Sequence, residues 1–299
     1  MPAILAEIPY PIIDPEAFRV FGFGVRWYGI AYILAFALAA WVLHGLSKRG
    51  RWPVHPDRVL DVLFWGIVGV WVGGRVGYML FYAADKSPGQ WLNFREGGMS
   101  FHGGMSGVIL AYFLYALKHK IPFRHLGDGL ALATAPGIAV VRLANFVNAE
   151  LWGRPWDGPW AMRFPVYSID KPWDGAWDIV LRHPSQLYQM LGEGIGLFLV
   201  LRWAMLKKGW GGGWIGCLFL FGYGAFRFVA EFFREPDKGI GFDLLGLTRG
   251  QEFCALMMLL GVVSFVLLRR SKPMRTIDWS QGMEPPASAF PPTSGRSGS

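Results

Sequence analysis

Cysteine is nearly missing from this chain: two in 299 residues, Cys217 and Cys254, both inside apolar stretches. That excludes a disulfide framework and a thiolate metal site, and leaves the two thiols as small core hydrophobes. Charge is scarce too, at 17% of residues against 53% hydrophobic. No dinucleotide or phosphate-loop glycine signature is present, which argues against a nucleotide-driven pump, and no internal repeat is visible. Met1–Glu16 lacks Lys and Arg and holds several prolines, so no cleavable signal peptide is expected.

What the chain does have is long apolar runs, 15 Trp, 23 Phe and a mean hydropathy of +0.31. A helical crossing of the hydrocarbon core needs about 20 apolar residues. Trp27–Leu46, Ser100–Leu117, Gly209–Phe226 and Phe253–Leu268 contain no Asp, Glu, Lys or Arg. Val62–Ala84 carries only Arg75, Gly129–Ala149 only Arg142, and Ser185–Leu201 only Glu193. Seven crossings are expected, giving an all-α integral membrane protein.

The net charge of +8 does not indicate nucleic acid, because the basic residues are sorted by side rather than gathered on one face. Segments 47–58, 118–125, 202–208 and 269–275 hold 14 Lys/Arg in 34 residues, whereas 1–26, 84–100, 149–184 and 233–252 hold 11 in 99. The dense clusters alternate with the sparse loops, so the N-terminus is expected outside and the C-terminus in the cytoplasm. The tryptophan-rich stretch 149–184 is expected to form a small external arm or head on a membrane domain spanning 1–270. The Pro-, Ser- and Gly-rich tail 271–299 is expected to be a disordered cytoplasmic extension.

Charged side chains at membrane depth are expensive and mark function unless they reach the headgroups. Arg75, Arg142 and Arg227 fall on three different segments, each toward a loop assigned outside. Asn145 lies three residues after Arg142, and Glu231 four after Arg227, each on the same helical face. Several arginines at one depth require an anion, and a guanidinium grips phosphate oxygens in a bidentate fork. A phospholipid headgroup of the outer leaflet fits that depth. Snorkelling of Arg75, or a simple Arg227–Glu231 pair, is the plainer alternative.

The stretch "EGGMSFHGGMSG", 96–107, sets His102 between two glycine pairs at the entry to the third crossing. A histidine there can accept a proton near neutral pH, and the glycines would let a bulky ligand approach the backbone. Gly104–Gly107 also has the G-x-S-G form of rhomboid-like intramembrane serine proteases, with Ser106 as nucleophile. That chemistry needs a histidine on a later helix, yet none of the six histidines lies within the last three apolar segments. A phospholipid flippase would explain the arginines, but the expected repeats and broken helices are missing.

"RLANFVNAELWGR" at 142–154 closely resembles the signature of prolipoprotein diacylglyceryl transferases. "RWYGIAY" (26–32), "GGRVGYMLFY" (73–82), "SFHGGMSG" (100–107), "RHPSQLYQ" (182–189) and "FGYGAFRFVAEFFREPD" (221–237) extend the resemblance in family order along nearly the whole chain. Gln189 departs from it, since an acidic residue is expected after "SQLY".

The resemblance implies a multi-pass enzyme of the bacterial inner membrane. Its partners would be phosphatidylglycerol and other membrane lipid, together with the lipobox cysteine of a prolipoprotein signal peptide. The substrate thiol is the nucleophile and must lose a proton while the leaving group gains negative charge. One base and several cations suffice, with no cofactor, metal or enzyme nucleophile. By similarity His102 is the candidate base, and Arg142 and Arg227 clamp phosphate and developing charge. Tyr28 would orient headgroup or base from the rim. Asn145 and Glu150 would bind the glycerol hydroxyls or position Arg142, Glu231 would orient Arg227, and Arg75 would join the lipid-binding set. Gly153 would permit close approach, and His183 matches the family as a structural residue.

Overall fold

The computed structural model describes residues 8–82, 91, 98–165, 180–235 and 246–291. The long elements are helices: α1 (Trp27–Lys48), α2 (Val59–Tyr82), α3 (Phe101–Lys118), α4 (Phe123–Val147), α5 (Ser185–Gln189), α6 (Leu197–Leu206), α7 (Trp214–Ala230) and α8 (Arg249–Leu268). A seven-residue π-helical segment, Met190–Gly196, joins α5 to α6 as one continuous rod. The strands are short: β1 (Ile8–Pro9) pairs in parallel with β4 (Met162–Arg163), and β2 (Glu16–Val20) forms a hairpin with β3 (Phe23–Arg26).

Among the described residues, five helices are long and apolar enough to cross a membrane: Trp27–Lys48, Pro56–Tyr82, Phe123–Val147, Ser185–Leu206 and Arg249–Leu268. The other two expected crossings form helices but fall below that standard. The α3 entry turn carries His, Ser and Gly in place of large apolar residues, and α7 is 17 residues long. Outward-facing Trp71, Phe81, Leu199 and Leu267 are all exposed. Helices satisfy their own backbone polar groups, so this apolar cladding suits a lipid solvent.

The chain divides into two compact units. One comprises Met1–Ala39, Ala131–Trp210 and Trp214–Arg269; the other comprises Ala40–Leu130, Gly211–Gly213 and Arg270–Ser299. In the first unit α7 and α8 pack closely because Gly224 and Gly261 have no Cβ: one at Gly224 would lie 2.9 Å from the Cys254 carbonyl, and one at Gly261 3.0 Å from that of Cys217. Both cysteines are buried thiols in this seam, as expected of small core residues. Tyr10, Phe146, Met162 and Phe164 build a second cluster under the arm, with Trp152 and Leu187 against it. The Tyr10 hydroxyl donates to the carbonyls of Phe146 (2.6 Å) and Val147 (3.0 Å), satisfying acceptors that the end of α4 leaves open.

In the second unit α2 lies against α3 through facing glycines. A Cβ at Gly69 would sit 2.7 Å from the Gly107 carbonyl, and one at Gly77 2.7 Å from the Gly103 Cα. Of the glycines expected to admit a ligand beside His102, Gly103 makes this helix–helix contact and also lines the groove that His102 borders. Ser100 caps α3 by accepting from the Gly103 amide at 3.2 Å.

Residues 271–291 differ from the disorder expected of their composition; 292–299 lie outside the described residues. Ile277 donates its amide to the Gly50 carbonyl (3.1 Å), and the Trp279 indole donates to the Ser47 carbonyl (2.8 Å) and packs edge-on against His55. Glu284 pairs with Arg58 and lies 3.2 Å from His119. Partial burial works against ionisation, but Arg58 and His119 outweigh it and hold the Glu284 carboxyl below the usual carboxylate range. Ile277 and Ala289 are buried. Composition missed this because a few anchors, spaced along a polar tract, find preformed acceptors on the helix ends. Truncation after Arg270 is expected to lower the melting temperature of the purified protein by several degrees. The expected loss is about 2 kcal/mol from burial of Ile277 and its neighbours. An unchanged melting curve would show that the strap rests on the surface without holding it.

Candidate functional site

Two of the arginine-bearing helices, α4 and α7, meet around one carboxylate. Glu193, fully buried, projects from the π-helical segment, whose Leu197 amide reaches back five residues to the Gly192 carbonyl. Its flanking glycines make the approach possible. A Cβ at Gly194 would overlap Ala139 of α4, and one at Gly192 would sit 3.0 Å from the Phe226 ring of α7. The segment is thus pressed between the two helices that carry Arg142 and Arg227. Local π geometry adds a residue to the turn and resets the side-chain phase, a frequent device at functional sites.

Glu193 Oε2 accepts from Arg142 Nε (3.3 Å) and Nη2 (3.2 Å), while its Oε1 lies 3.6 Å from Arg227 Nη1. Arg227 Nη2 pairs with Glu231 Oε1 at 2.6 Å, and Arg234 Nη1 reaches the same oxygen at 3.2 Å. Thr248, which caps α8 with Gln251 in a reciprocal box, donates its hydroxyl to Glu231 Oε2 at 3.3 Å. Lacking a Cβ, Gly250 makes room for that carboxylate at the α8 N-terminus, where the helix dipole favours an anion. Side-chain exposure is 16% for Arg142 and 14% for Arg227, so neither side chain is fully sealed, although Arg227 Nη1 itself is buried.

A second network continues from Arg142. Its Nη1 reaches Asn145 Oδ1 at 3.4 Å; Asn145 Nδ2 donates to the Tyr28 hydroxyl and, at 3.3 Å, to Glu150 Oε1; the Tyr28 hydroxyl donates to Glu150. Glu150 stands between two residues in left-handed conformation, Ala149 (φ 51°) and Leu151 (φ 55°). Such backbone strain in non-glycine residues persists only where surrounding contacts enforce it. Ser185 Oγ donates to the Leu151 carbonyl (3.0 Å) and Gln186 Nε2 to that of Glu150 (2.7 Å), which accounts for the "PSQ" of the sequence.

The structure therefore brings six of the expected residues together: Tyr28, Arg142, Asn145, Glu150, Arg227 and Glu231. Gly153 lies beside them, but its close approach is to protein: a Cβ there would meet the His183 Cβ and the Phe233 carbonyl at 2.5 Å. His183 stacks on Trp156 with centroids 4.2 Å apart, and burial pushes its imidazole below the ordinary range, in keeping with a structural place. Gln189 is buried, and among the described residues its Nε2 has no hydrogen-bond partner.

His102 and Arg75 belong to the second unit. His102, in the first turn of α3, is exposed and lines an open apolar groove of about 650 Å³ with Trp65, Val72, Leu80, Ser106 and Leu114. Arg75 is buried, with Nε donating to the Trp91 carbonyl (2.9 Å) and Nη1 to that of Gly98 (3.1 Å). Those bonds engage Arg75 with backbone rather than leaving it to snorkel. Glu193, Ser185, Gln186 and Thr248 were not among the residues singled out from the sequence. A lone carboxylate in an apolar run was the one available signal for Glu193; the other three have common helix-capping and polar identities that carry none.

Comparison with known proteins gives one consistent answer. A family model described as prolipoprotein diacylglyceryl transferase matches residues 15–267. Relatives named phosphatidylglycerol–prolipoprotein diacylglyceryl transferase include one from Idiomarina loihiensis, 43% identical over 269 residues, which covers 88% of this chain and 96% of the relative. Another, from Rhodospirillum rubrum, is 44% identical over 278 residues, covering 91% and 98%. A third, from Polynucleobacter asymbioticus, is 45% identical over 271 residues, covering 88% and 97%.

Proposed function

The chain belongs to the prolipoprotein diacylglyceryl transferase family, and from that membership we infer that it transfers the diacylglyceryl group of phosphatidylglycerol to a prolipoprotein. The acceptor is the thiol of the lipobox cysteine. Its sulfur attacks the glyceryl carbon, the bond from that carbon to the phosphate oxygen breaks, the electron pair leaves on glycerol phosphate, and the thiol proton passes to a base. The product is a thioether.

The observation that supports this most directly is the pair Arg142 and Arg227, both held on one buried carboxylate with each side chain partly exposed. A phosphodiester approaching from the membrane meets two guanidiniums already held on one carboxylate, and the same cations meet the charge that grows on the leaving oxygen. In this reading Asn145, Tyr28 and Glu150 form a polar rim for the glycerol hydroxyls, Glu231 orients Arg227, and Gly153 packs the arm against them. His102 takes the thiol proton, and Arg75, bonded to the Trp91 and Gly98 carbonyls, joins the lipid-binding set. Seven crossings place the N-terminus and the arm outside and the basic clusters in the cytoplasm of the inner membrane.

Purified enzyme with phosphatidylglycerol and a lipobox peptide should yield the peptide plus one diacylglyceryl group in thioether linkage, with one glycerol phosphate released per turnover. Peptide cleavage that depends on Ser106, or lipid translocation with no covalent product, would overturn the assignment.

A further inference from the structure

Glu193 presents a problem that the transfer reaction does not explain. An enzyme that uses Arg142 and Arg227 to hold phosphate has seated a fully buried carboxylate against both. Removing charges from water is costly, and a pair of arginines that only had to bind anions would bind them more tightly without it. The contacts are also unequal. Oε2 takes two hydrogen bonds from Arg142, whereas Oε1 and Arg227 Nη1, 3.6 Å apart, are both buried and have no hydrogen-bond partner among the described residues. Arg227 is thus held electrostatically by Glu193 but hydrogen-bonded through its other nitrogen to Glu231.

We propose that Glu193 is a positioning residue that limits the affinity of the Arg142–Arg227 pair for phosphate, so that the leaving group is released after transfer. The inference rests on the phosphatidylglycerol reading above. A phosphodiester headgroup carries one negative charge, whereas the glycerol phosphate formed from it carries up to two. Without Glu193, Arg142 would lose its carboxylate and Arg227 would keep only Glu231, so the pair would favour product over substrate; the buried carboxylate between them reduces that preference. Binding strength shared equally by ground state and transition state does not raise kcat, and excess affinity for product lowers it.

The isosteric change Glu193→Gln keeps the packing between α4 and α7 and removes the charge. In the thioether assay, inhibition by added glycerol phosphate is expected to strengthen by about tenfold or more, as is usual for close charge pairs. Inorganic phosphate should inhibit more strongly as well. KM for phosphatidylglycerol should fall or stay level while kcat falls. A merely structural role predicts the reverse, since disordered arginines would weaken inhibition and raise KM together. Glu193→Asp, which keeps the charge but withdraws it by one methylene, should lie between wild type and Gln. If Glu193→Gln fails to fold by thermal melt, the Asp variant decides alone: unchanged or weaker inhibition overturns the proposal. Wild type that forms no thioether sinks the functional reading; wild type that does, with Glu193→Gln inhibited no more strongly than wild type, sinks only this one.

Discussion

Arg142→Ala is expected to lower kcat/KM for phosphatidylglycerol by about 100- to 1,000-fold, the usual cost of losing one preorganised donor to developing charge. The residue has no substitute in the structure. Its guanidinium ties Glu193 to Asn145 and through Asn145 to Tyr28 and Glu150, so its loss both removes a phosphate donor and disconnects the polar rim from the carboxylate centre. Arg142→Lys should recover only part of the activity, because an ammonium is a point charge that cannot bridge the Glu193 and Asn145 directions and also present a fork to phosphate. If the interaction is made mainly in the transition state, kcat should carry the loss; if the headgroup is bound equally throughout, KM should. Thioether formation by Arg142→Ala within tenfold of wild type would remove Arg142 from the chemistry.

His102→Gln is the second large effect, expected at about 100- to 10,000-fold in turnover, the range of a positioned general base. The side chain is exposed in the first turn of α3, at the edge of an apolar groove, where a signal peptide arriving through the membrane can reach it. The deficit should shrink as pH rises toward the thiol's own pKa of about 8.5, because the acceptor then ionises without help. A deficit that stays constant with pH points to a role in packing instead. Near-normal turnover at pH 7 would end the general-base assignment and leave catalysis to the arginines and the self-ionised thiol.

Much of the site was legible before any coordinates. Arg142, Asn145, Arg227 and Glu231 could be placed on helical faces by spacing, since residues three and four apart are neighbours on a helix. A charge in an apolar run must find a partner, so their importance followed from cost alone. Glu193 obeyed the same logic yet could not be assigned, because the partner of a lone carboxylate depends on which helices pack beside it. Glu150 was expected where its helix runs out, and α4 does end at Val147, but the bond of Glu150 to Tyr28, 122 residues away, follows from no local pattern. Gly103 beside His102 is ambiguous for a related reason: glycine signals close approach without saying whether ligand or helix approaches, and this one both meets α2 and lines the groove.

By itself the sequence determined the solvent, the helical class and the polar inventory, because each follows from composition, run length and periodicity, which are properties of the chain alone. Only the tertiary structure decided who pairs with whom. It set Glu193 between two arginines by means of a π turn and the bare Gly194 against Ala139, spent Arg75 on the carbonyls of Trp91 and Gly98, and laid a tail of disordered composition along Gly50 and Ser47. Those outcomes depend on contacts between residues distant in the chain, and pairing at a distance is set by packing, which local spacing does not encode.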